Sequence, residues 1–349
     1  MLNYRFRDFV SVLTLSFVAL THSLEAQEYG LSEGLKSRAV VTGLCNPSSV
    51  TFSPDGRLTV CDSGNGRVLV VKDGKAETLV DGFETEYWKV DAETGTKRFL
   101  LGPLSSVWVN DSTIAIANSG AKDGAETVMF FDGAGKAADG KPTNAVSPTS
   151  DDAADKGEGN LCGFSLSEDG KTIYVAGQGA DAKSWVLAVD VESKKLTPVF
   201  SADEQGIEIN SPMATMPWGS DSVLALYSGA GGKEDGLIVQ WDVRSKKAVR
   251  QWTLPGLADP MGMARVPNSD SIVVVDNHWT LTEVLPKGKL AHVALPKAGG
   301  PAKVEVLANE LLGPVSCAFG PNGDLYIAQL GEAFDGDKGE VIAVSGIKP

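Results

Sequence analysis

Seven residues in this sequence could hold a ligand at one point. Asn46, Asn160, Ser211 and Asp259 each stand immediately before or at the start of an apolar stretch, and Asn210 comes one position earlier than Ser211. Gly102 and Gly313 fill the equivalent places elsewhere. Short oxygen-bearing side chains that converge are the donor set of a hard cation such as calcium. The same residue types also start strands by bonding nearby backbone, and both readings stand at this point. The remaining two are His278 and Trp279, in the run Asn277-His278-Trp279. An imidazole on a loop can take and return protons, bind a ligand beside the indole, or simply pack on the surface. Two acidic runs add weaker candidates. Asp151, Asp152, Asp155 and Glu158, interrupted by Lys156, lack an apolar anchor. Glu332, Asp335, Asp337 and Glu340 lack helix-forming flanks. Each is a calcium-loop candidate set against a plain solvated loop.

The elements that must position these residues are repeats. Six apolar strands are expected to begin at Pro47, Pro103, Leu161, Pro212, Pro260 and Pro314, spaced 56, 58, 51, 48 and 54 residues apart. Eight residues after each start comes Asp55, Asp111, Asp169, Ser220, Asn268 or Asn322, within Gly-, Asn- or Ser-rich turns suited to hairpins. Strongly β-forming second strands follow, such as Thr113 to Ala117 and Ile272 to Val275. Third strands follow a Gly- or Asp-rich loop, from Arg67, Thr127, Trp185, Leu237, Leu290 and Glu340. A polar fourth strand is clearest at Ala76 to Val80 and Val304 to Leu307. Four antiparallel strands per unit of this length make one propeller blade, so the expected fold is an all-β, six-bladed β-propeller. The sixth unit runs out of chain after its third strand. Arg38 to Val41, ahead of the first unit, is expected to supply the missing strand and close the ring, hiding its edges.

Composition narrows the function. The net charge is −14, which repels phosphate backbones and excludes nucleic acid as a natural partner. Arg5 and Arg7, then the apolar run Phe9 to Leu20, then small and polar residues to Ala26, read as a secretory signal. Residues 1–26 are therefore expected to be removed near Ser23 or Ala26, leaving 27–349 as one domain. That domain would be secreted or periplasmic, monomeric, and without a membrane span. Cys45, Cys61, Cys162 and Cys317 show no paired spacing for a metal. Disulfides and buried free thiols both remain open for them.

In such a meander the connections alternate between two faces. First-to-second and third-to-fourth turns share one face and are short. Second-to-third loops and blade crossings share the other, and include the long segments 83–101, 132–160 and 276–288. Ligand contacts concentrate on long loops held by a rigid scaffold. The long-loop face with its channel mouth is thus the expected site. Phe83, Tyr87 and Trp88 on the first crossing either line a groove there or cover the first blade.

The phrases Asn46-Pro47-Ser48-Ser49-Val50 followed by Phe52-Ser53-Pro54-Asp55-Gly56-Arg57-Leu58, and Gly313-Pro314 through Phe319-Gly320-Pro321-Asn322-Gly323-Asp324-Leu325, resemble NHL repeats. The resemblance extends along the whole chain beyond the signal and points to the NHL and gluconolactonase-like superfamily of six-bladed propellers. Its enzymes are calcium- or zinc-dependent lactonases and esterases with the metal in the channel. That family places a Glu two residues before the first-blade Pro, and Asn or Asp after the Pro of later blades. Here those places hold Cys45 and then Leu104, Cys162, Met213, Met261 and Val315, so its ligand set does not carry over. Quinoprotein sugar dehydrogenases resemble the chain only in fold, and Trp241-Asp242 is an isolated WD pair. The leading expectation is a binding scaffold for a protein, glycan or small molecule. The alternative is a metal-dependent hydrolase using Asn46, Asn160, Asn210 and Asp259, with His278 as general base.

Overall fold

The computed structural model describes residues 29–72, 74–90, 92–95, 97–122, 125–135, 144–146, 160–178, 184–279, 287–332 and 336–349; for Lys89, Gln178 and 144–146 it describes the backbone alone. The expected signal at 1–26, the acidic run from Asp151 to Glu158, and Asp335 lie outside the described residues.

The chain forms six antiparallel blades. Strand β1 is Lys36–Leu44. Blade one is β2 (Pro47–Phe52), β3 (Leu58–Asp62), β4 (Arg67–Lys72) and β5 (Lys75–Val80). A separate hairpin follows, β6 (Glu86–Val90) and β7 (Lys97–Leu101). Blade two is β8 (Pro103–Asn110), β9 (Thr113–Asn118), β10 (Thr127–Asp132) and β11 (Asn144–Val146). Blade three is β12 (Asn160–Leu166), β13 (Thr172–Gln178), β14 (Trp185–Asp190) and β15 (Lys195–Ser201). Blade four is β16 (Pro212–Pro217), β17 (Ser222–Tyr227), β18 (Leu237–Asp242) and β19 (Lys247–Thr253). Blade five is β20 (Pro260–Arg265), β21 (Ser271–Asp276), β22 (Gly288–Ala294) and, after the short β23 (Gly300–Pro301), β24 (Lys303–Leu311). Blade six is β25 (Pro314–Phe319), β26 (Leu325–Gln329) and β27 (Gly339–Ser345).

Strand β1 pairs antiparallel with β27, from Lys36 opposite Ser345 to Leu44 opposite Gly339. The ring therefore closes with a strand from each end of the sequence. Five of the six expected first-strand starts hold to the residue; in blade three the strand begins one residue earlier, at Asn160. The crossing after blade one, expected as an open loop, instead folds into the hairpin β6–β7, with Glu86 opposite Leu101. Strand β23 adds a fifth, parallel strand to blade four, because the connection in blade five reaches across its neighbour's edge.

The tight turns follow from their residues. In blade one the Ser53 hydroxyl bonds Asp55 and accepts Arg57 N–H at 2.9 Å, and Gly56 takes the left-handed backbone the turn needs. Ser167 does the same in blade three, accepting Thr172 N–H at 2.9 Å. The third-to-fourth turns of blades three and four repeat one device. Asp190 and Asp242 accept Ser193 and Ser245 N–H, each at 2.7 Å. Those N–H groups, with the two serine hydroxyls, hold both carboxyls below the usual aspartate range.

The core lies between blades, where the faces of neighbouring sheets meet. The second strands supply it: Val60, Ile114, Val175, Leu224, Val274 and Ile327 are all fully buried. Aromatic rings join blades at depth. Phe200 stacks on Trp241 with centroids 5.2 Å apart and 9° between planes. Trp108 donates its indole N–H to Thr59 Oγ1 across blades one and two at 2.9 Å. All four cysteines are buried free thiols.

Candidate functional site

The six first strands surround a central channel with a cavity of about 420 Å³, within the range of small-molecule pockets. Four methionines, Met213, Met216, Met261 and Met263, line it with Cys162 and Cys317. Four of its hydroxyl groups join blades. Ser48 Oγ donates to Pro103 O at 3.1 Å, and Ser105 Oγ accepts Phe164 N–H at 3.0 Å. Thr215 Oγ1 donates to Gly163 O at 2.9 Å, and Ser316 Oγ accepts Val50 N–H at 3.3 Å. Gly163 allows the tight approach of blades three and four: its φ is +41°, and a side chain there would collide with Met213 O and Ala214.

The long-loop end of the channel is plugged by the chain itself. Hairpin β6–β7 lays Trp88 and Phe99 over the mouth. Both meet Trp279, with centroids 5.9 and 5.8 Å away. Leu101, Met261 and Leu330 bury themselves beneath the rings. Asn46 Oδ1 anchors the hairpin by accepting Leu100 N–H at 3.3 Å. At the tight-turn end Thr51, Ala264, Ala318 and Phe319 are half-buried and Arg265 is exposed, so the channel opens there. Arg265 is held by Ser269 O at 2.9 Å and Asp270 at 2.8 Å, and stacks over Trp218.

The seven candidates divide accordingly. Asn46 and Ser211, like Gly313, bend the chain into the first strand with φ of +47°, +55° and +65°, a region that Gly and Asn enter readily. The carbonyls of Ser211, Gly313 and Asp259 face the end of the second strand. Ser228 N–H donates to Ser211 O and Asn277 N–H to Asp259 O, each at 2.9 Å. Asn210 is exposed and accepts Gly229 N–H through its carbonyl. His278 is half-buried beside Asp276 and, like Trp279, does not line the cavity. Of the seven, Asn46 and Asn160 line the channel. Asp259 is fully buried and accepts Gly232 N–H with both oxygens at 3.0 Å. Its own N–H donates to Asp276 Oδ1 at 2.6 Å. Burial, with Asp276 nearby, pushes the Asp259 carboxyl up to about 7, against the pull of the Gly232 N–H. Glu340, from the second acidic run, accepts Tyr29 O–H at 2.7 Å and Gln329 at 3.1 Å.

A set of residues that sequence reading missed explains the mouth. At the end of the second strand, Asp62, Asp276 and Gln329 each accept a backbone N–H from the incoming crossing: Cys45 at 2.7 Å, Asp259 at 2.6 Å and Leu312 at 2.9 Å. Asp62 is buried and also pairs with Arg67 at 2.7 Å. The signal was present, because these residues lie 15 or 16 positions after Pro47, Pro260 and Pro314.

Calcium prefers six to eight oxygens that include carboxylates. The channel lining contains no Asp, Glu or His, and no metal-ligating cluster of those residues with Cys occurs among the described residues. PQQ carries three carboxylates, and among the described lining residues Arg265, already paired, is the single cation. The residues fit neither group.

Residues 44–71 match the NHL repeat family. No curated protein sequence matches the chain. Among solved structures, it is similar to the holo form of the pyranose dehydrogenase PQQ domain of Coprinopsis cinerea, at 10% identity over 90% of this chain and 96% of that one, with a TM-score of 0.57. It is similar to the PQQ-bound aldose sugar dehydrogenase of Streptomyces coelicolor, at 14% identity over 90% and 100%, with a TM-score of 0.56. It also resembles a structural-genomics protein assigned as a gluconolactonase, at 12% identity over 91% and 94%, with a TM-score of 0.50. At these identities the likeness is one of fold. The chain is a six-bladed propeller with an NHL repeat in its first blade.

Proposed function

We propose that this protein is a binding scaffold that takes a small, uncharged molecule into its central channel, in a secreted or periplasmic setting. One observation carries the reading: a cavity of about 420 Å³ whose described lining is thioethers, aliphatic and aromatic groups and hydroxyls, four of them bonded across blades, with no carboxylate or imidazole among the described residues. Burying an unpaired charge in such a lining is costly, whereas an apolar body gains from leaving water. Methionine side chains are flexible and polarisable and adapt to varied ligand shapes. The hydrolase reading keeps the support of fold alone, because, of its four oxygen ligands, Asn46 and Asn160 line the channel but Asn210, Asp259 and the base His278 do not.

The test uses the uncharged fluorophore N-phenyl-1-naphthylamine. Saturable, blue-shifted fluorescence at one site per chain is expected, and Leu104→Trp, which fills the channel without touching the mouth hydrogen bonds, is expected to abolish it. No saturable signal would remove the reading. So would a saturable rise in thermal midpoint with one divalent cation, accompanied by lactone hydrolysis that Asp259→Ala eliminates.

A further inference from the structure

Every channel hydroxyl named above already spans two blades, and Asn46 holds the hairpin. Asn160 differs. It is 7% exposed, it lines the cavity at the plugged end, and its side-chain amide has no hydrogen-bond partner among the described residues. Its carbonyl accepts the Cys162 thiol at 3.2 Å, and β12 pairs Asn160 with Gln178, so the residue's backbone is fixed. A buried primary amide offers two donors and one acceptor. Without a protein partner they face the channel space and can bond a ligand group there in place of water. The same cavity is lined by Met213, Met261, Leu104 and Phe99, all apolar.

We propose that Asn160 is the recognition residue of the channel, and that its ligand is an apolar, aromatic-type molecule bearing one uncharged hydrogen-bonding group, such as an amide or carbonyl. This rests on the channel-binding reading above. The ligand enters from the tight-turn face, polar end first, and places that group against the Asn160 amide. Its apolar remainder lies along the methionines. A carboxylate in the same place would lose its hydration without a cation to meet it. The inference also gives a reason for Asn at this position, where a strand start inside an apolar channel needs no amide.

The experiment is ligand-observed NMR on the full chain with toluene, benzamide, benzoate and benzylammonium. Benzamide is expected to bind about tenfold more tightly than toluene, the worth of one well-made hydrogen bond. Benzoate and benzylammonium are expected to bind more weakly than either. In Asn160→Leu the benzamide-to-toluene affinity ratio is expected to fall by about tenfold. Asn160→Ser, a smaller change with a folded-state check by thermal midpoint, is expected to show the same direction. Equal affinities of benzamide and toluene, or a preference that survives both variants, would overturn the role of Asn160. Tightest binding of benzoate would overturn the uncharged class. Failure of all four probes together with the naphthylamine would sink the channel-binding reading itself, whereas toluene binding without amide preference would sink only this inference.

Discussion

Replacing Asp259 by Asn tests how the long-loop mouth is held. In the folded chain Asp259 is fully buried beside Asp276, and its carboxyl stands at about 7 rather than 3.8. Between those two values the folded chain binds a proton that the unfolded chain has released. Stability therefore falls as pH rises from about 4 through about 7. A displacement of about three pH units, at about 1.36 kcal/mol each, sets an upper bound of about 4 kcal/mol. Part of that displacement is relaxed by the backbone donors that face the carboxyl, and Asn offers Gly232 N–H one acceptor oxygen where Asp offers two; together these reduce the net to about 1–2 kcal/mol. Asn carries no charge at any pH. The assay is urea unfolding of both proteins at pH 4 and pH 8, followed by tryptophan fluorescence. The variant should gain about 1–2 kcal/mol on the native protein between the two pH values. Comparing the two proteins removes the titration of Glu340 and most other groups, which they share. A stability difference independent of pH, or one that moves against the variant as pH rises, would show that the Asp259 carboxyl is not held protonated by its burial.

Two further predictions concern the core. Burial pushes the thiols of Cys61, Cys162 and Cys317 up to about 12, so iodoacetamide at pH 8 should leave all three unlabelled in the folded chain and label them in urea; rapid native labelling would contradict the burial. Trp108→Phe should cost about 1–3 kcal/mol in urea unfolding, because it strands the Thr59 hydroxyl at a buried blade junction and removes the indole beneath Arg57, 4.6 Å away; a change under about 0.5 kcal/mol would show that the hydroxyl finds another partner.

The ring was legible because its signals are local and repeated. Proline at five strand starts, a turn residue eight positions later, and alternating apolar residues between them are choices made within one blade. The closing strand was legible by subtraction, since the sixth blade lacked a fourth member and Arg38 to Val41 had no blade of its own. The mouth was harder. Asn46 and Ser211 look like ligands in sequence because their side-chain oxygens suit coordination, and only the observed positive φ shows that both turn the chain into the strand. Hairpin β6–β7 was hidden because Tyr87, Trp88 and Phe99 lie far from Trp279 in sequence, and no local period announces that Trp88 and Phe99 meet it. Asp62, Asp276 and Gln329 were missed because two different residue types, a carboxylate and an amide, perform one task. Asn160 stands out in sequence only as a polar residue at a strand start, and nothing there could show that its amide is left unmatched in the channel.

The pairing of β1 with β27 has a kinetic consequence. The first strand of the sheet system cannot find its place until the last one exists, and the two are separated by nearly the whole chain. Contacts of such long range make this a fold of high contact order, whose ring closes late and slowly. Until then blade six lacks its outer strand and exposes the edge of Val341 to Val344, a short β-forming stretch open to pairing with other chains. Concentration during refolding, rather than temperature, should then decide how much of the chain reaches the closed ring.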